Sequence, residues 1–172
     1  MAASSITASR RRARPFSPAR PLFAAAWCLF AILVPAAVSA DVEHLLVRPQ
    51  GPGGVVFEIV ESDEDALQQL LPRVRQAIER VRARFPQTEF AVVSHGKEEF
   101  ALQSRYRVEQ AAIHEQVEAL VADSVTVHVC ETHAGWYGVS AEDFPDYVNV
   151  SPSGPDQIRL YEELGYELIV VY

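Results

Sequence analysis

The residue with the most chemistry in it is Cys130, because a thiolate is both a nucleophile and a metal ligand. It directly follows Val125-Thr126-Val127-His128-Val129, an apolar, β-branched run that reads as a strand. Other reactive side chains stand where neighbouring strands should also stop. A second strand, Phe90-Ala91-Val92-Val93, runs into Ser94-His95-Gly96-Lys97, and a short one, Tyr147 to Val150, into Ser151-Pro152-Ser153-Gly154. Thr132 and His133 follow Cys130 closely. In open parallel α/β sheets, ligands gather beyond the carboxyl ends of the strands. The candidate site is therefore Cys130, supported by His95, Gly96, Lys97, Thr132, His133, Ser153 and Gly154. An imidazolium or ammonium close by favours the thiolate, whereas Glu131 and a surplus of acids oppose it. A packed structural cysteine accounts for Cys130 equally well, since free cysteine is among the most buried residue types.

His128, Cys130 and His133 are ligand types suited to zinc or copper. No second ligand cluster or short-spaced pair accompanies them, so no metal or other cofactor is expected, and His128 reads as a core-edge histidine held by hydrogen bonds. The 23 acidic residues single out no catalytic pair. There is no P-loop, dinucleotide fingerprint or G-x-S-x-G element.

The elements that must position these residues alternate. Val55 to Val60 reads as the first strand, ending at Ser62-Asp63-Glu64-Asp65, where Ser62 and Asp65 suggest a capping box. Leu67, Leu70, Leu71, Val74, Ile78, Val81 and Phe85 then recur at helical spacing, with Pro72 expected to kink or restart that helix. Phe100 to Arg107 has no clear period, and Val108 to Ala122 is helical by pattern. The stretch through Gly135-Trp136-Tyr137-Gly138 reads as irregular, and Ser140 with Asp143 can cap one turn. A last helix runs to Leu164, Gly165 ends it, and Glu167 to Tyr172 is the last strand. Mostly apolar strands alternating with helices indicate an α/β fold, a three-layer sandwich with a mostly parallel five-stranded sheet.

The 172-residue chain opens with Arg10, Arg11, Arg12, Arg14 and Arg20, then the apolar run Leu22 to Val34 and the small residues Val38-Ser39-Ala40. These are the zones of an export signal. Residues 1–40 are read as a cleavable signal peptide, 41–54 as an N-terminal arm rich in Gly and Pro, and 55–172 as the domain. The apolar run is shorter than the ~20 residues that span a bilayer, so no stable membrane anchor is expected. With the signal go five of the 15 basic residues while all 23 acidic ones remain, which leaves a net charge of −13. Such a surface repels phosphate backbones, so nucleic acid is not an expected partner. Cys28 departs too, and Cys130 then has no intrachain partner in a periplasmic or secreted protein.

Val92-Val93-Ser94-His95-Gly96, the strand running into Cys130, and Val150-Ser151-Pro152-Ser153-Gly154 followed by Ile158 and Gly165-Tyr166 resemble, in order and spacing, the DsrE/DsrF-like family of small sulfur-relay α/β proteins. The likeness covers about Val55 to Val171. It implies that Cys130 carries sulfur as a persulfide between a donor and an acceptor protein, and that the domain assembles as a homo-oligomer, a trimer or hexamer. This chain departs from the family after the cysteine, reading Glu131-Thr132-His133 where an Asn-Thr pair is common.

Overall fold

A computed structural model describes residues 36–172, and the expected signal peptide lies outside these residues apart from its last five. Helix α1, Ala36–Leu46, is followed by β1, Gly54–Ile59, then α2, Leu67–Arg84, and β2, Glu89–Ser94. Two short 3-10 turns, Lys97–Leu102 and Ser104–Tyr106, lead into α3, Ala111–Ala122, and β3, Val125–Cys130. Helix α4, Glu131–Trp136, a 3-10 turn at Ala141–Asp143, β4, Asn149–Ser151, α5, Gly154–Glu163, and β5, Tyr166–Val171, complete the chain.

All five strands are parallel, in the order β4-β3-β2-β1-β5. The chain steps outward from β1 to β4, and α5 then carries it back across the sheet to β5 on the far side of β1. Side chains alternate along each strand. Val55, Phe57, Ile59, Phe90, Val92, Val125, Val127 and Val129 bury one face in the large core with α1, α2 and α3. Val56, Ala91 and Val93 turn the other way and pack with Ile158 of α5. The result is a three-layer α/β sandwich with unequal covers. Among the described residues no helix is long and apolar enough to cross a membrane.

Several local expectations change. The arm is helical through Leu46, because Val42 and Leu45 find buried positions on the domain. Pro72 does not break α2. The Ser62–Asp65 capping box does not form: α2 has no side-chain cap, and the Asp65 N–H goes instead to Asp63 Oδ1 at 3.0 Å. The Ser140–Asp143 box does form. The stretch after Cys130, read as irregular, begins with α4. Strand β4 is only three residues, one or two later than the spacing suggests.

What fixes the carboxyl edge of the sheet is a carboxylate. Glu98, in the turn after β2, is wholly buried. Its Oε1 accepts from Ser94 Oγ at 2.7 Å and the Gly96 N–H at 3.0 Å, and its Oε2 accepts from the Glu61 N–H at 2.7 Å. One side chain thus clasps the ends of β1 and β2. Gly96 is required by the close approach: a Cβ there would lie 2.4 Å from Glu98 Oε2 and 2.5 Å from Glu61 O. Removing the acceptor strands three donors, each costing about 1–3 kcal/mol when left buried and unpaired. Glu98→Ala is expected to lower the unfolding free energy by at least about 2 kcal/mol in urea denaturation; a loss below about 0.5 kcal/mol would show that the clasp is idle.

Candidate functional site

Four strand ends open on one cleft of about 800 Å³. Val60, Glu61 and Ser62 after β1, His95, Gly96 and Lys97 after β2, and Ser153 and Pro155 after β4 form part of its lining. Cys130, Thr132, His133, Trp136 and Tyr137 supply the rest. Seven of the eight residues singled out from the sequence line it. The eighth, Gly154, sits just behind, with its N–H on the cysteine.

Cys130 is the last residue of β3 and the N-cap of α4. Its Sγ accepts the His133 N–H at 3.4 Å and the Gly154 N–H at 3.3 Å. Two helices therefore start at the same sulfur, α4 from the cysteine's own strand and α5 from the loop after β4. Backbone N–H groups at helix starts favour negative charge. Cys130 as a residue is 4% exposed yet is among those lining the cleft. Gly154 is glycine for a steric reason, since a Cβ there would meet His95 Cβ at 2.6 Å. Thr132 fastens α4 to the β4 loop, its N–H and Oγ1 both donating to Pro152 O, at 3.2 and 2.6 Å.

Below the cysteine lies Glu99, also wholly buried. Its Oε2 accepts the Cys130 N–H at 2.8 Å and its Oε1 pairs with His133 Nδ1 at 2.7 Å. Burial pushes the Glu99 carboxyl up to about 7, opposed by the Cys130 N–H and by His133. The His133 ring stacks on Phe100, centroids 5.4 Å apart, and meets Tyr137 at 5.3 Å and Trp136 at 5.6 Å. Lys97 Nζ stands 5.7 Å over the Tyr137 ring, within cation–π range. Across the cleft His95 Nε2 pairs with Glu58 Oε1 at 2.8 Å.

His128 is turned to a different task. Its Nδ1 pairs with Ser151 Oγ and its Nε2 with Tyr161 OH, both at 2.8 Å, and Ser151 Oγ donates on to Gln157 Oε1 at 3.2 Å. Both ring nitrogens are committed to tying β3, β4 and α5 together. Among the described residues no group of three His, Cys, Asp or Glu side chains is placed to hold a metal.

Glu99, Trp136 and Tyr137 were not among the residues singled out from the sequence. A signal for the first was present: Glu98-Glu99 runs straight into Phe100-Ala101-Leu102 after a strand end, and acids embedded in an apolar stretch are candidates for paired burial.

No protein-family model matches the chain, and no curated protein matches it. Among solved structures it is similar to one described as the protein of unknown function MTH1491 from Methanobacterium thermoautotrophicum, with a TM-score of 0.55 and 23% identity. That match covers 68% of this chain and 97% of the other. At this identity the likeness carries the α/β fold.

Burial pushes His128 down to about 4 from its ordinary 6.5. Between those values the unfolded chain takes up a proton that the folded imidazole refuses, so acid favours unfolding. Relative to His128→Gln, the wild type is expected to lose up to about 3 kcal/mol of stability as pH falls through this window. Glu99 has the opposite sign, favouring the fold as pH falls from 7 to 4.5, but it is common to both proteins and cancels. Parallel denaturation curves at each pH check this, and a constant difference would mean that His128 is not held neutral.

Proposed function

We propose that the protein is an exported sulfur-handling protein of the DsrE-like type, in which Cys130 accepts sulfane sulfur and carries it as a persulfide. The observation that carries this reading is the sulfur's position: on the floor of a cleft at the strand ends, with two backbone N–H groups aimed at it. Those donors suit Sγ as the anionic thiolate that makes the attack. The strand-end motifs support the family likeness, and the small-residue site after an apolar run supports export. An organic persulfide is a chemically complete donor. The Cys130 thiolate attacks the outer sulfur, an S–S bond forms on the cysteine as the donor's S–S bond breaks, and the donor leaves as a thiol. No outside oxidant is consumed. A homo-oligomer exchanging sulfur with protein donors and acceptors belongs to the same proposal.

One observation favours a second reading, a non-catalytic oligomeric binding module: Cys130 is 4% exposed and caps α4, which a packed structural cysteine also does. Intact-mass measurement after incubation with an alkyl persulfide separates the two. The first reading expects wild-type protein to gain the mass of one sulfur atom, reversed by reductant, and Cys130→Ser to gain none. No adduct on wild type, or an equal one on the variant, would overturn it.

A further inference from the structure

Sulfur transfer of this kind is assisted by a proton as well as driven by a nucleophile, because a sulfur departs faster the lower its thiol pKa, and an alkyl thiolate, a strong base, departs more easily when a proton meets it. Of the proton-bearing groups that line the cleft, His133 is the one tied to Cys130, by its own N–H and through Glu99. Glu99 spends one oxygen on the Cys130 N–H and the other on His133 Nδ1. The imidazole is thereby held at one end by a buried carboxylate and on its face by Phe100. Its other nitrogen, Nε2, makes no hydrogen bond among the described residues and is not one of their buried unpaired atoms, while the ring lines the cleft with Cys130. Nε2 is the free end of the pair.

The pair's proton count sets what that free end does. With one proton shared between Glu99 and Nδ1, Nε2 bears a hydrogen whichever partner formally holds the shared proton. When that proton is lost, the remaining one sits on Nδ1 facing the carboxylate, and Nε2 becomes a bare acceptor.

We propose that His133 is a catalytic acid in the transfer to Cys130, with Glu99 as the positioning residue that orients it. This rests on the persulfide reading above. As the Cys130 thiolate attacks the outer sulfur of an organic persulfide, the S–S bond of the donor breaks, its electron pair stays on the departing sulfur, and the Nε2 proton joins that sulfur to release a thiol. The imidazole is left neutral, with its remaining hydrogen on Nδ1 facing the Glu99 carboxylate, and solvent returns a proton to Nε2. The charged and titratable groups around the pair are Cys130 on β3, Glu98 and Lys97 in the turn that carries Glu99, His95 just after β2, Glu61 after β1 and Tyr137 just after α4.

Thiol–disulfide exchange with two uncharged probes tests this independently of sulfur transfer. Hydroxyethyl disulfide releases an alkyl thiolate whose departure a proton assists, whereas dipyridyl disulfide releases a stable thione. His133→Gln is expected to slow exchange with hydroxyethyl disulfide roughly 10²-fold, the low end of general acid catalysis, and exchange with dipyridyl disulfide by no more than a factor of about two. The wild-type ratio of the two rates should fall as pH rises through the pair's deprotonation, and the ratio for His133→Gln should be flat. Glu99→Gln keeps both hydrogen bonds but fixes the ring in the other tautomer, so its ratio should be flat as well. Should that variant fail to fold, His133→Gln decides alone. Equal slowing with both probes, or none with either, would overturn the acid role. Normal exchange by wild type together with no sulfur uptake from an alkyl persulfide would sink the persulfide reading and leave the exchange ratio to judge His133.

Discussion

Two adjacent carboxylates with no exposure to water, Glu98 and Glu99, hold the carboxyl edge of this sheet together. Neighbouring buried acids are expensive, and the fold tolerates them because every oxygen is given a partner. Glu98 takes donors from the ends of β1 and β2, and Glu99 takes the backbone of Cys130 and the ring of His133. The 3-10 turn that carries both acids sits between β2 and α3 and reaches strand ends on either side of it. These bonds join the β1, β2 and β3 ends, as Lys97 N–H on Glu61 O and Thr132 on Pro152 O also tie neighbouring cleft loops. The same turn supplies Phe100, on which the His133 ring rests.

From that constraint the site follows in steps. Glu99 fixes the amide of Cys130, which fixes where β3 stops and α4 starts. The cysteine sulfur then takes the place of an N-cap oxygen for α4, and the close packing of Gly154 on His95 brings the start of α5 to the same atom. A thiol that would otherwise be one more buried side chain becomes the meeting point of two helix starts under an open cleft. The chain is acidic, with a net charge of −8, yet the groups that reach this cleft include Lys97, His95 and His133 as well as Glu61. The His128 network on the α5 side serves the opposite purpose, since burial keeps that imidazole neutral and its two bonds lock β3 to β4 and α5.

Strand ends were legible in the sequence because apolar β-branched runs stop abruptly at polar or glycine-bearing residues, and parallel α/β sheets gather function at those ends. That logic alone brings His95, Cys130, His133 and Ser153 to one edge. What it does not reach is set by long-range pairing. Strand order depends on how α5 returns across the sheet, which no local pattern encodes. The cap at α4 uses sulfur rather than the usual oxygen, and six residues containing Gly135 are too few to display a helical period. The Ser62–Asp65 pattern looked like a cap, but Asp63 competes for the Asp65 N–H two residues away and wins by proximity. Glu99 escaped notice among 23 acids because its significance lies in Cys130 and His133, more than thirty residues downstream.

The proposed sulfur transfer requires that Cys130 be an available sulfur in the folded protein rather than a packed one. The rate of its alkylation by iodoacetamide at neutral pH, followed as a function of reagent concentration under native conditions, tests this directly. An available thiol reacts at a rate that rises in proportion to reagent and far exceeds the rate of global unfolding. A rate that saturates at the unfolding rate, with reaction only through the opened chain, would contradict the account.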